Sequence, residues 1–196
     1  MKRFALLLSM GLLAVSCGDG GGKLFADARW QVRCPPGLPM CSRNGDVVDL
    51  FAFDGDEGIN VSCSATESGE DARIINFTVA RGSQPQLSVT GLLTGINGGT
   101  VRGESCRVTV LDDGNAYGGT TEGRCGANPP SEAQPCQIGA IEFDEEPETG
   151  DPRLSTTIEC RNLRAPSNPE LLQRDVTFPM MATMPATIGI LNCDGI

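Results

Sequence analysis

The sequence predicts an all-β protein, a disulfide-stapled β-sandwich of the jelly-roll or immunoglobulin-like kind with roughly nine to eleven strands. From Trp30 onward, apolar and polar residues alternate with a period of two, the mark of strands with one buried face. Glycine and proline, 25 and 13 residues, punctuate nearly every such segment. Cysteine occurs nine times and histidine never, a composition suited to covalent staples rather than to zinc.

Ala28 to Val32 and Val47 to Phe53 open the series of strands. Ile59, Val61, Cys63 and Ala65 then alternate with Asn60, Ser62 and Ser64, and Ile75, Phe77 and Val79 with Asn76 and Thr78. The pattern returns at Leu87/Val89, at Cys106/Val108/Val110, at Leu154/Thr156/Ile158/Cys160, at Val176/Phe178 and over Ala186 to Cys193. Within Gln137 to Phe143 the apolar phase slips, from Ile138 and Ala140 to Ile141 and Phe143, and Gly139 stands where a bulge absorbs the extra residue. Turns are expected at Asn44-Gly45-Asp46, Asp54 to Gly58, Asn97-Gly98-Gly99, Asp112 to Asn115 and Pro147 to Pro152. One helical turn is expected over Asn168 to Gln173, with Asn168 as cap and Pro169 at the first helical position.

Eight cysteines belong to this β region: Cys34, Cys41, Cys63, Cys106, Cys125, Cys136, Cys160 and Cys193. Cys63, Cys106 and Cys160 are in phase with apolar neighbours, so their sulfurs point into the core. Spacing does not select the connectivity. One scheme turns a hairpin at Asn115-Ala116 to set Cys106 opposite Cys125, and another at Glu148 to set Cys136 opposite Cys160 with Ile138 facing Ile158. The competing scheme closes Cys34 to Cys41 and Cys125 to Cys136 and leaves the core cysteines to bridge the sheets.

The ninth cysteine has a different setting. Met1-Lys2-Arg3 is followed by Phe4 to Val15, apolar apart from Ser9 and Gly11, and then by Ser16-Cys17. This is a secretory leader pattern, too short for a bilayer span, which needs roughly 20 apolar residues. Ala14-Val15-Ser16-Cys17 resembles the lipobox of bacterial lipoproteins, with Ala14 where that family usually has leucine. The resemblance covers residues 1–17 and implies sorting, not activity. By it, residues 1–16 are a signal peptide and Cys17 carries the lipid that holds the chain to a membrane. Residues 17–25 are then a lipidated cysteine and glycine-rich tether, and 26–196 a single sandwich domain. Gly18 after the lipidated cysteine implies the outer membrane if the cell is Gram-negative.

Without residues 1–16 the chain keeps 13 basic and 25 acidic residues, a net charge of −12, with Lys23 as its one lysine. Such a surface argues against nucleic acid as a partner, since phosphate binding depends on lysine and arginine. The lack of histidine excludes Ser-His-Asp and Cys-His catalysis. No catalytic residue and no metal-ligating set is singled out.

Calcium is the one cofactor the acidic turns suit, at Asp54/Asp56/Glu57, Asp112/Asp113 or Glu142 to Asp151, although Asp54 to Asn60 departs from an EF-hand loop. Paired carboxylates also serve glycoside hydrolysis. Arg161, Arg164 and Arg174 form a local cationic group, and Trp30 suits either the core or a ligand. The expected role is a non-catalytic envelope protein, structural or binding another protein or a glycan. The alternatives are a carboxylate-dependent enzyme acting on an envelope or extracellular polymer and a calcium-dependent adhesion module.

Overall fold

The computed structural model describes residues 22–39, 41, 43–70, 72–94, 102–103, 106–119, 123–169 and 172–195. The leader, Cys17, most of the tether and the Asn97-Gly98-Gly99 turn lie outside the described residues, as do Glu170 and Leu171 of the expected helical turn. Around that turn, the Leu172 amide donates to the Asn168 carbonyl at 2.9 Å.

Among the described residues fourteen strands form two sheets. The larger sheet contains β1 (Phe25–Arg33), β2 (Val47–Phe53), β9 (Cys125–Gly126), β10 (Cys136–Ile138), β11 (Glu142–Glu145), β12 (Pro152–Arg164), β13 (Gln173–Thr177) and β14 (Ala186–Leu191). The smaller contains β3 (Ile59–Gly69), β4 (Ala72–Arg81), β5 (Gln86–Thr94), β6 (Arg102–Gly103), β7 (Arg107–Asp112) and β8 (Asn115–Gly118).

In the larger sheet β1 and β12 are the long rails. Between them β13 and β14 make one interrupted column: β13 pairs with Gln31 to Arg33 and with Cys160 to Arg164, β14 with Phe25 to Arg29 and with Arg153 to Ile158. β2 flanks β1, and β10 and β11 flank β12, all antiparallel; β9 joins β10 in parallel. The smaller sheet is a meander, β3-β4-β5-β7-β8, with β6 beside β5.

The two sheets share one core. On β3, Ile59, Val61, Cys63 and Ala65 are buried, and on β12 Leu154, Thr156, Ile158 and Cys160 alternate with the more open Arg153, Ser155, Thr157 and Glu159. Trp30 and Tyr117 are the bulkiest fully buried side chains. Each such apolar side chain contributes roughly 1.5–3 kcal/mol relative to exposure, and together they hold the inner faces of both sheets against each other. After β14 the chain crosses to the edge of the smaller sheet, where Asp194 exchanges backbone hydrogen bonds with Cys63 and Ala65.

Four disulfides fix this arrangement: Cys34–Cys41, Cys63–Cys193, Cys106–Cys125 and Cys136–Cys160. The first scheme's pairings, Cys106–Cys125 and Cys136–Cys160, are both present, as is the Cys34–Cys41 loop of the competing scheme, whose Cys125–Cys136 pairing fails. Cys125 bonds Cys106, not Cys136, because β9 lies parallel to β10 and turns its cysteine toward the segment before β7. The β7–β8 hairpin turns at Asp113-Gly114, two residues earlier than expected, because both residues take a positive φ, 48° and 75°. The Cys106–Cys125 bond ties the segment before β7 to β9 of the larger sheet, beside an antiparallel bridge between Arg107 and Arg124 that sets the two cysteines opposite each other as expected. Cys136 does face Cys160, and Ile138 faces Ile158.

The expected strand count falls short for local reasons. β6, β8 and β9 are two to four residues long, below the length at which alternation can be read. Gln137 to Phe143 divides into β10 and β11. Ile138 faces Ile158 but Glu142 faces Ser155, so one extra residue is absorbed at the Gly139 bulge. A side chain there would collide with the Thr157 hydroxyl.

Candidate functional site

On the outer face of the larger sheet, β1 and β2 place three phenylalanines together. In β2 (VVDLFAF) Val48 and Leu50 face the core, so Asp49, Phe51 and Phe53 face outward; in β1 Phe25 shares the outward phase with Asp27 and Arg29. Register then sets Phe25 opposite Phe53 and Asp27 opposite Phe51. The Phe25 ring meets Phe51 and Phe53 edge-on, with centroids 4.8 and 5.1 Å away. Phe51 is 77% exposed and Phe53 44%. Aromatic rings so open to water are uncommon without a partner.

These rings form one wall of a groove of about 380 Å³. Its floor crosses β14 at Gly189, which faces Asp27 on one side and Ser155 on the other. Arg153 of β12 closes the far side, and the β11–β12 hairpin carries Glu146, Glu148 and Asp151 along the rim. That hairpin is well tied. The Glu146 amide donates to the Asp151 carbonyl at 2.8 Å and the Gly150 amide to the Glu146 carbonyl at 2.7 Å, while Arg153 meets the Glu146 carboxylate at 3.5 Å. Lys23 already brings a cation to the aromatic wall, its Nζ 5.7 Å from the Phe53 ring centroid and 3.1 Å from Asp56. Aromatic faces beside unneutralised carboxylates attract cations through ring quadrupole and charge together.

Most of the residues singled out from sequence fall elsewhere. Asp54 accepts a hydrogen bond from the Val61 amide at 2.8 Å, Asp56 pairs with Lys23, and Asp112 pairs with Arg174. Among the described residues no three of histidine, cysteine, aspartate and glutamate gather as a metal cage. Of the acidic residues from Glu142 to Asp151, the structure brings Glu146, Glu148 and Asp151 to the groove.

The three arginines do not form a free cationic surface. Arg161 bonds Glu159 and Asp175, Arg164 meets Glu132 at 3.3 Å, and Arg174 is buried. Burial alone would lower the Arg161 pKa, but hydrogen bonds and charge from Glu159 and Asp175 outweigh it and raise the value. Trp30 lies in the core, and among the described residues its indole N–H has no partner, nor has the Tyr117 hydroxyl.

No protein-family model, no curated protein and no solved structure matches this chain. Among the described residues no helix is long and apolar enough to cross a membrane.

The aromatic wall escaped the sequence reading because VVDLFAF is apolar in both phases. A signal for it was present. Asp49 shares a phase with Phe51 and Phe53, and Asp27 and Arg29 share one with Phe25, which assigns those phases to solvent.

Proposed function

We propose that this chain is a lipid-anchored envelope protein whose sandwich binds a partner without transforming it, and that its ligand is a basic segment of another protein seated in the groove of Phe25, Phe51 and Phe53. The observation that carries this is the aromatic trio, with Phe51 and Phe53 exposed, beside Asp27, Glu148 and Asp151. Strands hold the rings and a tied hairpin holds the acids, so the surface is preorganised and loses little entropy on binding. The position of Lys23 over Phe53 supports a lysine or arginine side chain as occupant. The net charge of −12 without residues 1–16 would speed encounter with a basic partner. The run Met1 to Cys17 supports the anchor and export, by its resemblance to a lipoprotein leader.

The anchor is tested by intact mass of the protein from its native membrane, with alkylation before and after reduction. A triacylated chain starting at Cys17 that gains eight alkyl groups only on reduction is expected; an unlipidated chain overturns the anchor. The groove is tested by titrating the mature domain with lysine- and arginine-rich peptides and with neutral oligosaccharides. Salt-sensitive peptide binding that Phe51→Ala and the pair Glu148→Gln/Asp151→Asn each weaken at least tenfold is expected. Salt-insensitive binding of oligosaccharide alone would replace the basic partner with a glycan, and turnover of that glycan would replace binding with catalysis.

A further inference from the structure

The interrupted column of the larger sheet contains a second feature, independent of the groove. On β12, Cys160 faces Val176 and Ile158 faces Ala186, and on β1, Gln31 faces Thr177 and Arg29 faces Thr187. The ladder thus steps from Thr177 to Ala186, and residues 178–185 are thrown out of the middle of the sheet. The sheet does not need them, and their sequence is Phe-Pro-Met-Met-Ala-Thr-Met-Pro.

The excursion has a fixed frame. Pro179 is buried, Phe178 bridges Met181, and the Phe178 amide donates to the Met184 carbonyl at 2.9 Å. Two turns follow one another, closed by Met181 N–H to the Phe178 carbonyl at 3.2 Å and by Met184 N–H to the Met181 carbonyl at 3.1 Å. Arg161, itself held by Glu159 and Asp175, donates to the Ala182 carbonyl. On this frame Met180, Met181 and Met184 are 86%, 53% and 44% exposed. They are three of the six methionines in the chain.

Exposed thioethers gain nothing from burial and are open to oxidation. What they offer is soft, neutral sulfur. Residues joined across a β-turn have Cα atoms less than about 7 Å apart, and methionine has three rotatable side-chain bonds, so the three sulfurs can converge on one ion. Imidazole is absent from the chain, and the eight cysteines of the domain are oxidised. Thioether donors select Cu(I) over the hard divalent cations. We propose that the Met180-Met181-Met184 excursion is a surface site for a monovalent soft metal ion, Cu(I) in the cell.

The test uses the mature domain with its disulfides intact. Ag(I), which has the same charge and softness and needs no reductant, is titrated while the methionine methyl groups are followed by NMR; Cu(I) is then offered anaerobically against a coloured Cu(I) chelator. One ion per chain is expected, moving the methyl signals of Met180, Met181 and Met184 together. Met180→Leu/Met181→Leu/Met184→Leu should lose at least tenfold in affinity with an unchanged circular dichroism spectrum and Tm. Oxidation of the three thioethers to sulfoxides should abolish binding in the parent. Absence of Ag(I) and Cu(I) binding, or equal binding by the triple leucine variant, would overturn the site. Peptide binding in the groove is unaffected by either result, so the two proposals fail separately.

Discussion

Arg174 of β13 reaches out of the larger sheet to Asp112 at the end of β7 in the smaller one, Nε to Oδ2 3.0 Å, with both side chains 8% exposed. The guanidinium also lies 5.1 Å from the Tyr117 ring centroid and donates to Cys41 Sγ at 2.6 Å, so one side chain ties β13, β7, β8 and the Cys34–Cys41 loop. A buried pair of this kind is held by mutual compensation. Removing one partner leaves a charge in a dry site, at a cost of about 3–5 kcal/mol, whereas replacing both by apolar groups approaches neutrality. Urea denaturation of Arg174→Met and of Asp112→Leu should each show that loss, and the double variant should recover most of it. Additive losses would mean that the pair is not coupled.

The disulfides differ in the length of chain they close. Cys63–Cys193 spans 130 residues and Cys34–Cys41 spans 7. On the loop-entropy account the long bridge is worth about 5 kcal/mol and the short one about 2.5 kcal/mol. Cys63→Ala/Cys193→Ala should therefore lower the unfolding free energy about twice as far as Cys34→Ala/Cys41→Ala. The Cys34–Cys41 bond is only half buried and the other three are in the core, so graded reduction followed by alkylation should label Cys34 and Cys41 first.

Tyr117 supplies a pH prediction. Burial, more than the charges of Asp112 and Asp113, raises its pKa, and Arg174 opposes the rise without cancelling it. The unfolded chain therefore releases the phenolic proton at lower pH than the folded one. Stability from this group is intact below the ordinary value of 10 and is lost as pH rises through the folded pKa. Equilibrium unfolding at pH 8 and pH 11 should reveal this decline in the parent and a smaller one in Tyr117→Phe. Because the hydroxyl is buried without a partner among the described residues, Tyr117→Phe should cost nothing at pH 7 and gain up to about 1 kcal/mol.

Much of the sandwich was legible because its strands obey one rule over enough residues. β3 alternates over Ile59 to Thr66 and β12 over Arg153 to Arg161, and their inward residues are the ones that pack. Gly139 was legible for the same reason, since a slip in phase shows only against a regular background. The connectivity was legible in part: hairpin symmetry set Cys106 opposite Cys125 and Cys136 opposite Cys160 and a short loop suggested Cys34–Cys41, but Cys63–Cys193 depends on how the two sheets meet, which alternation does not encode. The groove was hidden because it is assembled from β1, β2, β14 and a distant hairpin, whose residues look ordinary alone. The methionine excursion reads as plain chain in sequence. Only the register on both rails shows that it leaves the sheet.

Gly189 offers a way to close the groove without touching its walls. It shares the outward phase of β14 with Thr187 and Leu191, and the absence of a side chain there opens the floor between the phenylalanines and Arg153. A Cβ at this position would lie 3.2 Å from the Asp27 carbonyl oxygen and 3.7 Å from an Arg153 Nη, so alanine fits after a small shift of β1. Valine extends into the groove itself. Gly189→Ala should change stability by less than about 1 kcal/mol, within the range of surface substitutions, and leave peptide affinity near the parent value. Gly189→Val should remain folded, since a β-branched residue suits a strand, yet lose at least tenfold in affinity for basic peptides measured by calorimetry. Equal affinities in the parent and the valine variant would move the binding surface off this face of the sheet, and with it the role assigned to Phe51.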